Sequence, residues 1–172
     1  CMRDDVALDL SDSARSFMDV VWPVIGKWCY GGTLVPVETG KDDFMKSQLD
    51  ILAGIDSWQM VTDRGVMRSI ATRVQFEKAY ASFTIRAERS SGAKTELEKR
   101  LDAYNSKENW LMPELTVQAY VSERDAGQLL WAGMLYTRDL YNYINIIGID
   151  NLDERVNPQD GNKFKVVWWD EI

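Results

Sequence analysis

Histidine is absent from all 172 residues. That excludes a Ser-His-Asp or Cys-His triad and any His-ligated zinc or iron site. Cysteine is almost as scarce, and the pair Cys1 and Cys29 cannot form a disulfide framework. Any metal must therefore be held by oxygen, and carboxylates favour magnesium, manganese or calcium. No apolar run approaches the roughly 20 residues that cross a bilayer, so neither a transmembrane segment nor a membrane partner is expected. Internal repeats and low-complexity segments are missing as well.

The remaining composition is that of an ordinary globular chain, 45% apolar and 27% charged, of a length that suits one domain over residues 1–172. So few cysteines fit a reducing, cytoplasmic setting. A leading cysteine occurs in lipoproteins and in some N-terminal-nucleophile hydrolases. Met2-Arg3-Asp4-Asp5 nevertheless reads as an ordinary polar N-terminus, and Cys1 is expected to be an artefact of preparation.

The formal charge of -7 argues against a general nucleic-acid binder. Its distribution points the other way. Between Arg64 and Arg100 nine bases stand against four acids, a surplus of five that leaves a deficit of twelve elsewhere. One basic face on an acidic protein is the asymmetry of a surface that meets phosphate, although a solvated strand-and-helix surface would look the same.

Asp9 to Ser13 is rich in N-cap residues, and Phe17, Val20, Val21, Val24, Ile25 and Trp28 then share a helical face. Pro23 is expected to kink or split that helix and Tyr30-Gly31-Gly32 to end it. A short apolar piece, Thr33 to Val37, delivers Glu38. A second short helix is expected from Asp42 and Asp43 through Leu52, stopped by Gly54. From Ile55 the period becomes two. Strands are expected over Ile55–Met60, Val66–Phe76 and Tyr80–Ala87, the first two joined by a hairpin at Thr62-Asp63-Arg64-Gly65. Thr95 with Glu98 has capping-box spacing and opens a helix to Tyr104. Strands Leu115–Val121 and Leu129–Tyr136, a helix Thr137–Ile146 and a last strand Phe164–Trp169 complete the chain. The fold class is α/β or α+β, a central mixed sheet flanked by helices.

Glu38, Asp50 and Asp56 precede the basic strand that carries Arg73. Carboxylates of this kind can hold a divalent cation that polarises a phosphodiester, while a neighbouring guanidinium stabilises developing charge. Each piece also has a plainer role: Asp56 as a turn or cap residue, Arg73 and Arg86 as a solvated face, Glu96 with Lys99 as a helix-stabilising pair. Trp58 and Phe83 read as core.

Val37-Glu38, Gly54-Ile55-Asp56, Ser69-Ile70-Ala71-Thr72-Arg73 and Phe83-Thr84-Ile85-Arg86, in this order after a helix, resemble the PD-(D/E)XK nuclease superfamily, and most closely its phage-type and Holliday-junction-resolvase-like members. The resemblance covers roughly Ser13 to Ile144. It implies a restriction-endonuclease-like αβββαβ core and a hydrolase, a magnesium- or manganese-dependent DNA endonuclease. Glu38 would be the helix glutamate and Asp56 the strand aspartate, with Asp50 beside them in the metal set, and Arg73 would stand at the lysine position. Ala71 stands where that superfamily carries an acid. Glu96, beside Lys99, is the candidate substitute, ahead of Gln75. The catalytic set is then Asp56, Arg73, Glu96 and Lys99. The DNA path would be lined by Thr84, Arg86, Arg89, Ser91 and Lys94, the loop at Ser90-Ser91-Gly92 offering N–H groups to a phosphate. Resolvase-like enzymes often act as symmetric dimers, so a homodimer is within this expectation, although no dimer stripe is legible.

Two other readings stay open. One is a catalytically degenerate relative of the same fold that still grips DNA or a protein partner. The other is an acidic adaptor that captures protein through some of its seven tryptophans.

Overall fold

The structure, a computed structural model, describes residues 12–37, 54–88, 92, 94–106, 111–125, 127–158 and 160–172. A helical segment over 12–29 (α1) opens the fold. It contains a π turn at Phe17–Val21, an α turn at Trp22–Ile25 and a 3₁₀ turn at Gly26–Cys29. Around Pro23, which lacks an N–H, the segment is divided among these turns, and the wider one just before it sends the Trp22 N–H back to the Phe17 carbonyl. Tyr30, at φ 75°, ends the helix.

Strands β1 (Thr33–Pro36), β2 (Ser57–Val61), β3 (Val66–Phe76), β5 (Leu115–Val121) and β6 (Leu129–Tyr136) form one mixed sheet in the order β1-β2-β3-β5-β6. Only β3 and β5 run parallel, starting at Ile70 opposite Leu115. A parallel neighbour requires a crossover. Here it passes through β4 (Ser82–Glu88) and helix α2 (Glu96–Asn105). Helix α3 (Thr137–Ile147) follows β6, and the hairpin β7 (Asp153–Val156) and β8 (Lys163–Trp168) closes the chain.

The expected run of three antiparallel strands is corrected here. β4 does not pair with β3; it joins a second sheet in the order β4-β8-β7. Between β3 and β4, Glu77 and Ala81 sit at φ 77° and 44° and turn the chain away. The edge of β3 is left to β5. The apolar piece at 33–37 proves to contain the edge strand β1, and β7 was not foreseen. The helix expected from Asp42 to Leu52 lies outside the described residues.

Alternation on β3 and β5 sorts the two faces of the large sheet. Ile70, Val74, Leu115, Val117, Ala119 and Val121 pack against Phe17, Val21, Ile25 and Cys29 of α1. Trp28, expected on that buried face, is 55% exposed. On the opposite side a second core gathers Phe83, Ile85 and Val167 from the small sheet with Leu97, Leu140, Tyr141 and Ile144 from α2 and α3. Burial also pushes the Cys29 thiol above its usual range, against a hydrogen bond from Gln59.

The free edge of β4 faces β5, where two side chains take the place of a strand. Gln118 Oε1 accepts from the Thr84 N–H and hydroxyl at 3.2 and 3.1 Å. Tyr120 donates to the Ser82 carbonyl at 3.1 Å. Helix α2 starts as its spacing requires: the Thr95 hydroxyl accepts the Glu98 N–H, and the Glu98 carboxylate accepts the Thr95 N–H at 2.7 Å. The Thr95 N–H first, and the Thr95 hydroxyl that donates to the same oxygen at 2.9 Å, hold the Glu98 carboxyl below the usual carboxylate range.

Replacing Thr95 by Ala should therefore cost about 1 kcal/mol of unfolding free energy, read as a lower urea midpoint. The Glu98 contribution is present above the ordinary carboxyl pKa, 4.5, and is lost as pH falls through the depressed native value. The penalty of Thr95→Ala should shrink in acid; a penalty that stays constant down to pH 2 would contradict the cap.

Candidate active site on strand β3

The ladder between β2 and β3 stops at Ser57 opposite Ile70. Asp56, one residue earlier, stays attached: its N–H donates to Ile70 O and its carbonyl accepts from Val37 N–H, both at 2.9 Å. Its carboxylate Oδ2 takes the Thr72 N–H at 2.5 Å and the Thr72 hydroxyl at 3.2 Å. A side chain thus replaces the backbone acceptor that the departing strand no longer offers. Asp56 is fixed on Thr72 of β3, the residue that precedes Arg73.

Arg73 reaches across to α2, where its Nη2 lies 2.6 Å from Glu96 Oε2. Both side chains are about one-quarter exposed. The guanidinium also lies 5.3 Å from the centre of the Phe164 ring on β8, and Arg86 of β4 lies 5.4 Å from the same ring. A cavity of about 20 Å3, room for one water-sized group, opens among Ala71, Arg73, Thr84, Glu96, Gln118 and Tyr141. Gln118 is 1% exposed, and its Nε2 has no hydrogen-bond partner. The cavity wall therefore holds an unused donor.

Arg100, 4% exposed, anchors this arrangement from α2. Its Nη2 donates to the Gly54 carbonyl at 2.9 Å, two residues before Asp56. Gly54 sits at φ +60°, a left-handed conformation that favours glycine, and a Cβ there would come within 2.6 Å of Arg100 Nη2, so the guanidinium would have to shift. Burial pushes the Tyr141 phenol well above its usual range, with the negative Glu96 adding to the rise and Arg100 and Arg73 opposing it.

Of the residues singled out from sequence, Asp56, Arg73 and Glu96 fall on one stretch of β3 and the helix over it. Lys99 lies on α2, half-buried. Lys94 is an exposed residue paired with Asp102. Arg86 shares the Phe164 ring with Arg73. Thr84, expected to touch DNA, is corrected: it is 8% exposed and spends its donors on Gln118. Glu38, Asp50, Arg89 and Ser91 lie outside the described residues. Among the described residues no group of three His, Cys, Asp or Glu side chains gathers as a metal site. The carboxylates of Asp56 and Glu96 fit a hard cation in kind. Arg100, Tyr141, Gln118 and Phe164 escaped the sequence reading. Only Arg100 left a trace there, one helical turn after Glu96, where Lys99 drew the attention instead.

Compared with protein-family models, with curated proteins and with solved structures, the chain matches none. Among the described residues no helix is long and apolar enough to cross a membrane.

The raised phenol has a measurable consequence. Tyr141 stays protonated in the folded chain, so its contribution to stability is intact below the ordinary pKa of 10.0 and is lost as pH rises beyond it. In an alkaline titration, the Tyr141 phenolate absorbance, isolated by comparison with Tyr141→Phe, should appear only as near-UV circular dichroism collapses. Ionisation of Tyr141 in a folded chain near pH 10 would contradict the packing.

Proposed function

We propose that the chain is a magnesium- or manganese-dependent DNA endonuclease of the PD-(D/E)XK kind, resolvase-like in its use of DNA. The observation that carries this reading is the Arg73–Glu96 pair at 2.6 Å, formed on the strand that Asp56 caps and two residues beyond Ala71. Glu96 lies where it can stand in for the acid that position 71 lacks. The order of elements supports the same reading. With β4 set aside as an insertion, α1, β1-β2-β3, α2 and β5 run αβββαβ, and β5 lies parallel to β3.

In this account Asp56 and Glu96, with Glu38 and Asp50, hold the cation. When bound, it supplies Lewis-acid polarisation of a phosphate oxygen and a lower pKa for its water. Arg73 faces the scissile phosphate and offsets its charge once Glu96 turns to the metal. Gln118 offers its unused Nε2–H to an oxygen entering the cavity. Lys99 orients the phosphate from α2. Arg86, Arg89, Ser91 and Lys94 line the DNA path.

One observation favours a second reading, a degenerate nuclease fold that binds DNA or a protein partner without cutting. Glu96 is already neutralised by Arg73, and among the described residues the acids do not gather in threes.

Incubation with a four-way DNA junction and with single-stranded DNA, in magnesium or manganese, separates the two. Wild type should cleave, EDTA should stop it, and Asp56→Ala should abolish it with unchanged circular dichroism. Arg73→Ala and Glu96→Gln should each lower the rate by about 10²–10³-fold, the range for losing one electrostatic contact to the transition state. A wild type that shifts DNA but cuts under no divalent metal supports the second reading. An Asp56→Ala variant as active as wild type overturns the first.

A further inference from the structure

A second, larger concavity lies beyond the candidate site, at the end of the same strand. It is an open groove of about 580 Å3 lined by Gln75, Phe76, Glu77, Lys78, Tyr80 and Arg124 among others. Gln75 shares a sheet face with Arg73, two residues and so about 6.6 Å further along β3. Lys78 and Arg124 line it, and Arg155 lies over the Tyr80 ring of its wall, so that each cation is laid on an aromatic ring. Lys78 Nζ lies 5.4 Å and the Arg155 guanidinium 4.2 Å from the centre of the Tyr80 ring, and Arg124 lies 4.8 Å from that of Phe76. Arg155 is also 5.1 Å from the Trp168 ring.

The charge balance is the unusual part. In a chain of net charge -7, most bases near the small sheet have acids: Lys163 pairs with Glu88 and Lys165 with Glu154. Among the described residues neither Lys78 nor Arg155 has a carboxylate partner, yet both crowd one ring. Arg124 pairs with Asp12 at 3.7 Å. Glu77 is the acid in the groove wall. Two like charges held over a single tyrosine repel each other unless an anion sits between them. Stacking on the ring strips part of their hydration while their N–H groups remain able to donate to an anion. Rings interleaved with cations along an open channel are the chemistry that holds a single nucleic-acid strand.

We propose that this groove is a phosphate-binding subsite for a single-stranded nucleic-acid segment, which Lys78, Arg124 and Arg155 grip by its phosphates. The inference rests on the nucleic-acid reading above but not on cleavage. It says that a strand leaving Arg73 continues along β3 into the groove, with a base against the exposed side of Tyr80.

The test is fluorescence anisotropy of a 5′-fluorescein dT12 strand in EDTA, so that binding is read without cutting, over a series of salt concentrations. For a single strand the slope of log K against log salt falls by about 0.7 per phosphate contact. Lys78→Ala, on an exposed loop, should reduce the slope by about 0.7, and Lys78→Ala with Arg155→Ala by about 1.4, with circular dichroism unchanged. Slopes equal to wild type in both variants overturn the proposal, as does a wild type that does not bind dT12. Displacement of the strand by inorganic phosphate at the same concentration also overturns it, because the groove would then hold an isolated anion and no polymer. Altered slopes in a protein that cuts no DNA sustain this subsite while the endonuclease reading fails. Asp56-dependent cleavage with unaltered slopes sustains that reading while the subsite fails.

Discussion

The placing of helix α2 over the candidate site goes with how the free edge of β4 is satisfied. An edge strand laid against another sheet carries N–H and C=O groups that water no longer reaches, each costing about 1–3 kcal/mol if left unpaired. Gln118 and Tyr120 project from β5 and supply the missing partners at Thr84 and Ser82. That seam holds the small sheet against the large one and carries α2 with it through Phe83, Ile85 and Leu97. Glu96 and Arg100 reach β3 and Gly54 because the helix is held there.

The pair that results is weak as a stabilising device. A partly exposed ion pair contributes at most about 1 kcal/mol. Arg73 and Glu96 are each about one-quarter exposed, so packing alone gives little reason to place them over a cavity that already contains the unused Gln118 donor. Their meaning lies in position: a cation and an acid held beside Asp56 on rigid elements, with Arg86 sharing the Phe164 face. The loop before Asp56 is held as tightly. Arg100 holds the Gly54 carbonyl, and the ladder that ends at Ser57 leaves the Asp56 carboxylate to cap Thr72. A structural cap and a metal ligand are compatible roles for one carboxylate, because each of its oxygens can accept more than one partner.

Local chemistry was legible in the sequence, and long-range pairing was not. Strands Leu115–Val121 and Leu129–Tyr136 have the expected bounds, since alternation and flanking turns are local signals. Thr95 with Glu98 announced α2 because a capping box spans only three residues. The partner of β4 is another matter. Period two says that a strand exists and nothing about which edge it joins, and β8 lies some eighty residues away. Thr84 was misplaced for the same reason: the resemblance set it beside Arg86 on the DNA path, whereas the packing of the two sheets buries it against Gln118. Asp56, Arg73 and Glu96 could be picked out because acids and bases are rare enough beside a strand to attract attention. Gln118 and Tyr141 could not, because an amide or a phenol inside an apolar pattern acquires its role only from what packs over it.

The central claim is that Asp56 and Glu96 share one cation beside Arg73, and the most direct test is an anomalous-difference map of crystals grown with manganese. The account predicts a peak about 2.2 Å from oxygens of both carboxylates, with the Arg73 guanidinium released from Glu96. A map with no peak at Asp56, and Arg73 still bound to Glu96 at saturating manganese, would contradict it.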